Sequence, residues 1–168
     1  SHFIQEQFHK SLNKKTVGWK IGMVTKNLQD GAKVGGPMIG KIIDETVLMN
    51  PLKIEYNRVP HCILECEFAL KFLEDSKMLP GAENKKDNYD VYISLELVST
   101  RIKQDSKKNL NSRELMFLNV ADNGGAGAIV LGDKIQNVDS IDLNSIEVEV
   151  DVNGNKTGAW EKRAHPTE

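Results

Sequence analysis

The stretch that decides the fold is His61–Leu73, with the sequence HCILECEFALKFL. Every second residue of this stretch is apolar, and on a strand these residues would form one face. They are Cys62, Leu64, Cys66, Phe68, Leu70 and Phe72. This alternation predicts a β-strand whose apolar face packs on a core. Glu65 and Glu67 share the opposite face of the same strand.

Two interpretations of the Glu65 and Glu67 pair are open. Side chains two residues apart on a strand lie about 6–7 Å apart, so the two carboxylates repel by about 2–3 kcal/mol at an effective dielectric constant of about 20. The pair is either a solvated strand face, like the one formed by Glu147, Glu149 and Asp151, or a set of oxygen ligands for a hard divalent cation such as Mg²⁺ or Mn²⁺. The spacing of the residues fits both.

The composition excludes several classes of protein. The chain has 168 residues, 39% of them hydrophobic and 27% charged, which predicts a single globular domain over residues 1–168. A net charge of -2 with scattered Lys and Arg argues against a nucleic-acid partner. The sequence contains neither a bilayer-length apolar run nor a signal-peptide pattern, so we expect a soluble chain without membrane insertion. Cys62 and Cys66 would lie about 13 Å apart on one strand, too far for a disulfide, which favours a reducing compartment. Without a CxxC motif and with four scattered histidines, the sequence argues against a zinc site.

The rest of the chain predicts helices and further strands. Ile4, Phe8 and Leu12 stand at helical spacing, which predicts an amphipathic helix over Phe3–Leu12 with its apolar face in the core. Further expected elements are strands over residues 17–24, 41–48 and 91–102, an exposed connection over residues 74–90, and a β-hairpin at Asn153-Gly154.

Four more residues are candidates for a site. Lys20 is the only charge in its strand, and it points either to solvent or inward, where its ammonium would neutralise the carboxylate pair. Glu96 is a single carboxylate among neutral neighbours, either a stray surface residue or the third acid that a metal site needs. Asp122 and Asn123 precede a run of tiny residues, which lets the backbone approach other backbone or a ligand closely.

Six short sequence blocks are each weak evidence for a family when taken alone. Their order along the chain makes the set specific. They are Gly18-Trp19-Lys20-Ile21-Gly22, Gly36-Pro37-Met38-Ile39-Gly40, Leu64-Glu65-Cys66-Glu67, Leu95-Glu96-Leu97-Val98-Ser99-Thr100-Arg101-Ile102, Val120-Ala121-Asp122-Asn123-Gly124 and Asn153-Gly154. The set resembles the 2-keto-4-pentenoate hydratase group of the fumarylacetoacetate hydrolase superfamily. That group also contains the 2-oxohepta-3-ene-1,7-dioate hydratases and the 4-oxalocrotonate decarboxylases.

The resemblance implies a fold, a metal and a substrate class. The implied fold is α+β, with a mixed β-roll or barrel-like core and peripheral helices. The implied Mg²⁺ or Mn²⁺ ion is held by three carboxylates, those of Glu65, Glu67 and Glu96. The metal would grip the carboxylate and the 2-oxo or 2-enol oxygen of a short 2-keto acid. Lys20 matches a lysine that binds the substrate carboxylate or assists proton transfer, and Asp122 and Asn123 match residues near the site, which we assign to substrate binding.

Two departures from the family pattern bear on function. Met38 stands where many hydratases of the group carry an aspartate that partners the lysine in proton transfer, and a thioether cannot move a proton. The family is also longer at both ends, so the resemblance implies an incomplete hydratase domain over residues 1–168.

Two hypotheses from different classes follow. The first is a lyase, a metal-dependent hydratase or decarboxylase of short 2-oxo-alkenoic acids of the kind used in aromatic catabolism, supported by the three carboxylates and Lys20. The second is a catalytically impaired relative that serves as a structural subunit of a larger assembly, supported by Met38 and the shorter chain. We expect a homo-oligomer or a subunit of a larger assembly, in the cytoplasm or the mitochondrial matrix.

Overall fold

The computed structural model describes residues 1–50, 53–73, 89–142 and 145–160. In those residues the helices are α1 (His2–Leu12), α2 (Lys26–Ala32) and α3 (Ser112–Ala121). The strands are β1 (Thr16–Gly22), β2 (Met38–Ile43), β3 (Val47–Met49), β4 (Ile63–Phe72), β5 (Tyr89–Val98), β6 (Ala126–Lys134), β7 (Val148–Val152) and β8 (Asn155–Trp160). None of the described helices is long and apolar enough to cross a membrane.

A four-stranded mixed sheet forms the centre of the molecule. Its strand order is β3-β6-β5-β4, with β3 parallel to β6 and the other neighbours antiparallel. The core cluster on this sheet consists of Val59, Leu97, Ala128 and Val130. Near its C-terminal end the central strand β5 is buried on both faces, since Leu97 and Glu96, which point in opposite directions, are each 5% exposed.

Two smaller units of β structure accompany the central sheet. Strands β1 and β2 pair antiparallel, and β2 contacts β6 and the short 3-10 turn Asn123–Gly125. Strands β7 and β8 form the predicted hairpin, in which Asn153 and Gly154 have φ angles of 56° and 80°. Positive φ at both central residues is what a type I′ turn requires, so the hairpin prediction is confirmed.

Other predicted elements are found with shifted ends. The strand predicted over residues 17–24 is β1, and the one predicted over 91–102 is β5. The segment predicted as a single strand over 41–48 is divided between β2, which already begins at Met38, and β3. Of the predicted exposed connection, residues 74–88 lie outside the described residues, and Tyr89 and Asp90 belong to β5.

The predicted N-terminal helix is confirmed as α1, and on its predicted buried face Phe8 and Leu12 are half-buried, whereas Ile4 is exposed. Ile4 is 58% exposed, whereas Gln5 and His9 are buried. The side-chain amide of Gln5 donates a hydrogen bond to the backbone oxygen of Ile39 at 2.8 Å. The helix therefore meets β2 through a polar contact, which a hydrophobic periodicity cannot reveal.

The prediction that the apolar face of β4 packs on a core is wrong for most of its length. Leu64, Phe68, Leu70 and Phe72 are 42–54% exposed. Strand β4 is an edge strand of the sheet. The strand residues of the core cluster belong to β5 and β6. Cys62, just before β4, does pack against that cluster.

Helix α3 has a complete capping box, which makes its first turn a testable element. The side-chain oxygen of Asn111 accepts hydrogen bonds from the backbone N–H groups of Arg113 and Glu114, each at 3.0 Å, and the Glu114 carboxylate accepts one from the Asn111 N–H at 2.9 Å. We expect Asn111→Ala to lower the free energy of unfolding by about 1 kcal/mol in urea denaturation. Asn109→Ala, in the preceding turn, is the control, and equal losses in the two variants would contradict the capping role.

Candidate active site

The register of β4 and β5 brings the three predicted acidic residues onto one face of the sheet. Glu65 is directly opposite Glu96, and Glu67 is opposite Ser94. Directly opposite residues of antiparallel strands share a face, and so do residues two apart on one strand. The carboxylates of Glu65, Glu67 and Glu96 therefore lie on the same face. Like charges directly opposite one another destabilise a sheet. A cation near these carboxylates would offset their repulsion.

Lys20 provides one positive charge on this face. Its side chain points inward from β1, and its Nζ donates hydrogen bonds to the carboxylate of Glu96 and to the backbone oxygen of Gly124, the latter at 3.0 Å. The side chains of Lys20 and Glu96 are 8% and 6% exposed, so the ion pair is buried. Of the two orientations that the sequence left open for Lys20, the structure has the inward one.

Glu96 lies in an environment that opposes its ionisation. Burial raises the pKa of the Glu96 carboxyl above its ordinary value, the Lys20 ammonium acts in the opposite direction, and the negative charge of Glu65 raises it further. Loss of the lysine charge would therefore leave a desolvated carboxylate beside another acid.

The side chains of Met38 and Lys20 both end close to Gly124. A Cβ built on Gly124 would lie 3.2 Å from Met38 Cε and 3.5 Å from Lys20 Nζ, so both side-chain ends approach this glycine. Gly124 has a φ of 66°, in the left-handed region that favours glycine. A methionine side chain therefore ends near the ammonium at the position where the resemblance implies a proton-transferring aspartate.

Asp122 is held by the segment that follows β5. Its carboxylate accepts hydrogen bonds from Thr100 Oγ1 at 2.9 Å, from the Arg101 backbone N–H at 3.1 Å and from Arg101 Nε at 2.7 Å. Arg101 also donates to the backbone oxygens of Asp122 and Ala126. The Asp122 side chain thus fixes the end of α3 to the end of β5.

Asn123 is tied to β2 in a similar way. Its side-chain oxygen accepts from the backbone N–H of Lys41 at 2.7 Å, and its amide donates to the backbone oxygen of the same residue at 2.8 Å. These bonds fix the turn that presents the Gly124 carbonyl to Lys20. The assignment of Asp122 and Asn123 to substrate binding stays a prediction, and what the structure shows is that both side chains position the site backbone.

Two residues of this region were not singled out from the sequence. Arg101 lies within one of the quoted blocks, but its role as the partner of Asp122 depends on a contact between residues 21 positions apart. Ser94 is 3% exposed and lies opposite Glu67 on the acidic face. Ser94 lies two residues before Glu96, and this spacing on a strand is the sequence pattern that places Ser94 on the same face.

The acidic residues fit a divalent metal in kind and in backbone placement. Carboxylate oxygens are the donors that Mg²⁺ and Mn²⁺ prefer, and the strand register puts three of them on one face. Within the residues that the structure describes, no group of three or more His, Cys, Asp or Glu side chains is drawn together as a metal-binding group. The Glu96 carboxylate is instead directed to Lys20. The donors are thus present on one face, while one of them is engaged by an internal cation.

Comparisons with known proteins support the fold. No protein-family model and no curated protein matches the chain. The structure is similar to 4-oxalocrotonate decarboxylase from Pseudomonas putida G7 complexed with magnesium and adipate, with a TM-score of 0.68 and 16% sequence identity over 92% of this chain. It is also similar to the same enzyme complexed with calcium and acetate, with a TM-score of 0.65 and 16% identity over 94% of this chain.

The likeness confirms the predicted fold class. The architecture is a mixed α+β fold similar to that of 4-oxalocrotonate decarboxylase. The chain covers 57% and 59% of the two similar chains, so it spans less than two thirds of their length. At 16% identity the comparison establishes the fold and leaves the activity to be argued from the site.

Gly40 provides a test of how tightly the site is packed. A Cβ at this position would lie 2.6 Å from the backbone oxygen of Asn123 and 2.8 Å from Lys20 Cγ. We expect Gly40→Ala to lower the free energy of unfolding by about 1–3 kcal/mol, because backbone has to shift to admit the methyl group. Gly35→Ala, with nothing within 4 Å of its new methyl group, should stay within about 0.5 kcal/mol of the parent protein in the same urea titration. Equal stability of the two variants would contradict the close packing of β2 against the Asn123–Gly125 turn.

Proposed function

We propose that the chain carries the metal site of a lyase of the fumarylacetoacetate hydrolase superfamily, a divalent-metal-dependent hydratase or decarboxylase of short 2-oxo-alkenoic acids. The observation that carries the proposal is the buried Lys20–Glu96 pair on the sheet face that also bears Glu65 and Glu67. The fold likeness adds to it, since the similar decarboxylase was complexed with magnesium and adipate. A carboxyl group whose pKa is raised by burial and that is paired with a specific charged partner, as Glu96 is, is typical of functional sites.

The acidic face would hold the metal ion. Glu65, Glu67 and Glu96 are the residues that would bind Mg²⁺ or Mn²⁺. When bound, such an ion supplies Lewis-acid polarisation of a 2-oxo group. The remaining chemistry belongs to side chains of this chain, above all to Lys20.

Lys20 would bind the substrate and handle a proton. An ammonium has three N–H donors, and the described residues Glu96 and Gly124 engage two of those of Lys20. The third can be donated to a carboxylate oxygen of a 2-oxo acid. Since Lys20 is buried, that hydrogen bond would form away from competing water. Asp122 and Asn123 would contribute by holding the turn beneath it.

Met38 predicts weak acid–base catalysis. The methionine lies beside Lys20 but cannot relay a proton. A positioned acid or base contributes about 10²–10⁴-fold to the rate of a proton-transfer step. In this chain Lys20 would have to transfer the proton without the neighbouring acid, so turnover should be slow.

A second candidate function is a non-catalytic subunit of a larger assembly. Two observations favour it: the thioether beside Lys20, and the exposed apolar side chains of β4. Large apolar surface on an outer strand is typical of a face that another chain covers. Both candidates are consistent with the reducing cytoplasm or mitochondrial matrix, in which the free Cys62 and Cys66 would stay reduced.

The metal site is tested by thermal denaturation with and without Mn²⁺. A ligand present at about 100 times its dissociation constant stabilises the folded state by about 2.7 kcal/mol, so millimolar Mn²⁺ should raise the melting temperature of the wild type. Glu67→Gln removes a proposed ligand and should abolish most of the rise. Glu149→Gln alters a different acidic strand, where the carboxylate pairs with Lys156, and should keep the rise. An equal rise in all three proteins would exclude Glu67 as a ligand.

Catalysis is tested with two substrates in the presence of Mn²⁺. We expect the wild type to hydrate 2-hydroxypenta-2,4-dienoate, or to decarboxylate 4-oxalocrotonate, slowly, and Lys20→Ala to lose that activity. We expect Met38→Asp to raise the rate by about 10²–10⁴-fold, which is what a positioned general acid contributes. Met49→Asp, at a position 61% exposed on β3, controls for the added charge.

Two outcomes would contradict this account. If Met38→Asp and the wild type turn over substrate at the same rate, a missing acid is not what limits catalysis. If no variant turns over either substrate although Mn²⁺ binds, the non-catalytic subunit is the better function.

A further inference from the structure

We infer that Lys20 is an internal cation that competes with the metal ion for Glu96 and so lowers the metal affinity of the site. The inference rests on the proposed function, because it concerns the same acidic face. Its starting observation is that the Glu96 carboxylate, a proposed metal ligand, is directed to the Lys20 ammonium. The lysine thereby supplies positive charge at the position where a metal ion would supply it.

The lysine cannot easily leave Glu96. Its Nζ is also held by the backbone oxygen of Gly124. Its stem is confined, since a Cβ at Gly40 would lie 2.8 Å from Lys20 Cγ and 3.0 Å from Lys20 Cδ. Met38, whose Cε lies near the same glycine as the ammonium, offers no carboxylate as an alternative partner.

A metal ion can reach Glu96 in two ways, and both are weakened by Lys20. Either the ion displaces the ammonium, which breaks a buried ion pair, or it binds the second carboxylate oxygen while the ammonium keeps the first. In the second case a divalent cation and an ammonium lie within a few ångströms of each other in a poorly solvated place, where like charges repel strongly. Removal of the lysine charge should therefore tighten metal binding.

Calorimetric titration with Mn²⁺ at constant pH tests this inference. Lys20→Gln retains an N–H donor for Glu96 but removes the charge, and Lys20→Met retains the apolar stem. We expect the dissociation constant for Mn²⁺ to fall about tenfold or more in both variants, as the loss of a repelling charge in a low-dielectric site predicts. Lys41→Gln is the matched control, because Lys41 also carries a largely buried ammonium paired with a carboxylate, that of Glu6, and its affinity should equal that of the wild type.

The outcomes separate this inference from the proposed function. Binding by the wild type with equal or weaker binding by Lys20→Gln would overturn the inference and leave the metal site standing. Binding by Lys20→Gln without measurable binding by the wild type would support strong competition. An absence of binding in every variant whose melting curve shows a folded protein would overturn the metal site and the inference together. If Lys20→Met fails to fold, Lys20→Gln decides, since it keeps a polar N–H group without the charge.

Discussion

The buried ion pair between Lys20 and Glu96 is the interaction on which the site depends. It joins β1, in the two-stranded sheet, to β5, in the centre of the four-stranded sheet. Removal of one partner of such a pair leaves an uncompensated buried charge, which costs about 3–5 kcal/mol. The pair therefore fixes where the two sheets meet and also holds together the groups of opposite charge that the proposed chemistry needs.

The surrounding backbone is built to accommodate this pair. Gly40 and Gly124 leave room for the lysine stem and ammonium, and a side chain at either position would meet Lys20. Asn123 fastens the turn to β2 through both backbone groups of Lys41. Hydrogen bonds from polar side chains thus stabilise the loop, while the absence of Cβ atoms allows the close approach. The packing of small residues and the placement of charge are parts of one arrangement.

The same arrangement links the structure to its possible activities. The acidic face carries three carboxylates, the fold is similar to that of 4-oxalocrotonate decarboxylase, and Lys20 donates a hydrogen bond to Glu96. Met38 and the exposed apolar side chains of β4 are the features that favour a non-catalytic role.

The sequence by itself determined which residues share a strand face. The period of two placed Glu65 with Glu67, and Ser94 with Glu96, and Asn153-Gly154 indicated the hairpin, because alternation and turn chemistry are local properties of a chain. The tertiary structure decided which strands are neighbours, that Glu65 lies opposite Glu96, that Lys20 points inward, and that the apolar face of β4 is exposed. Register, the direction of a lone charge and the cover over a strand face depend on contacts between distant parts of the chain, and no local pattern contains them.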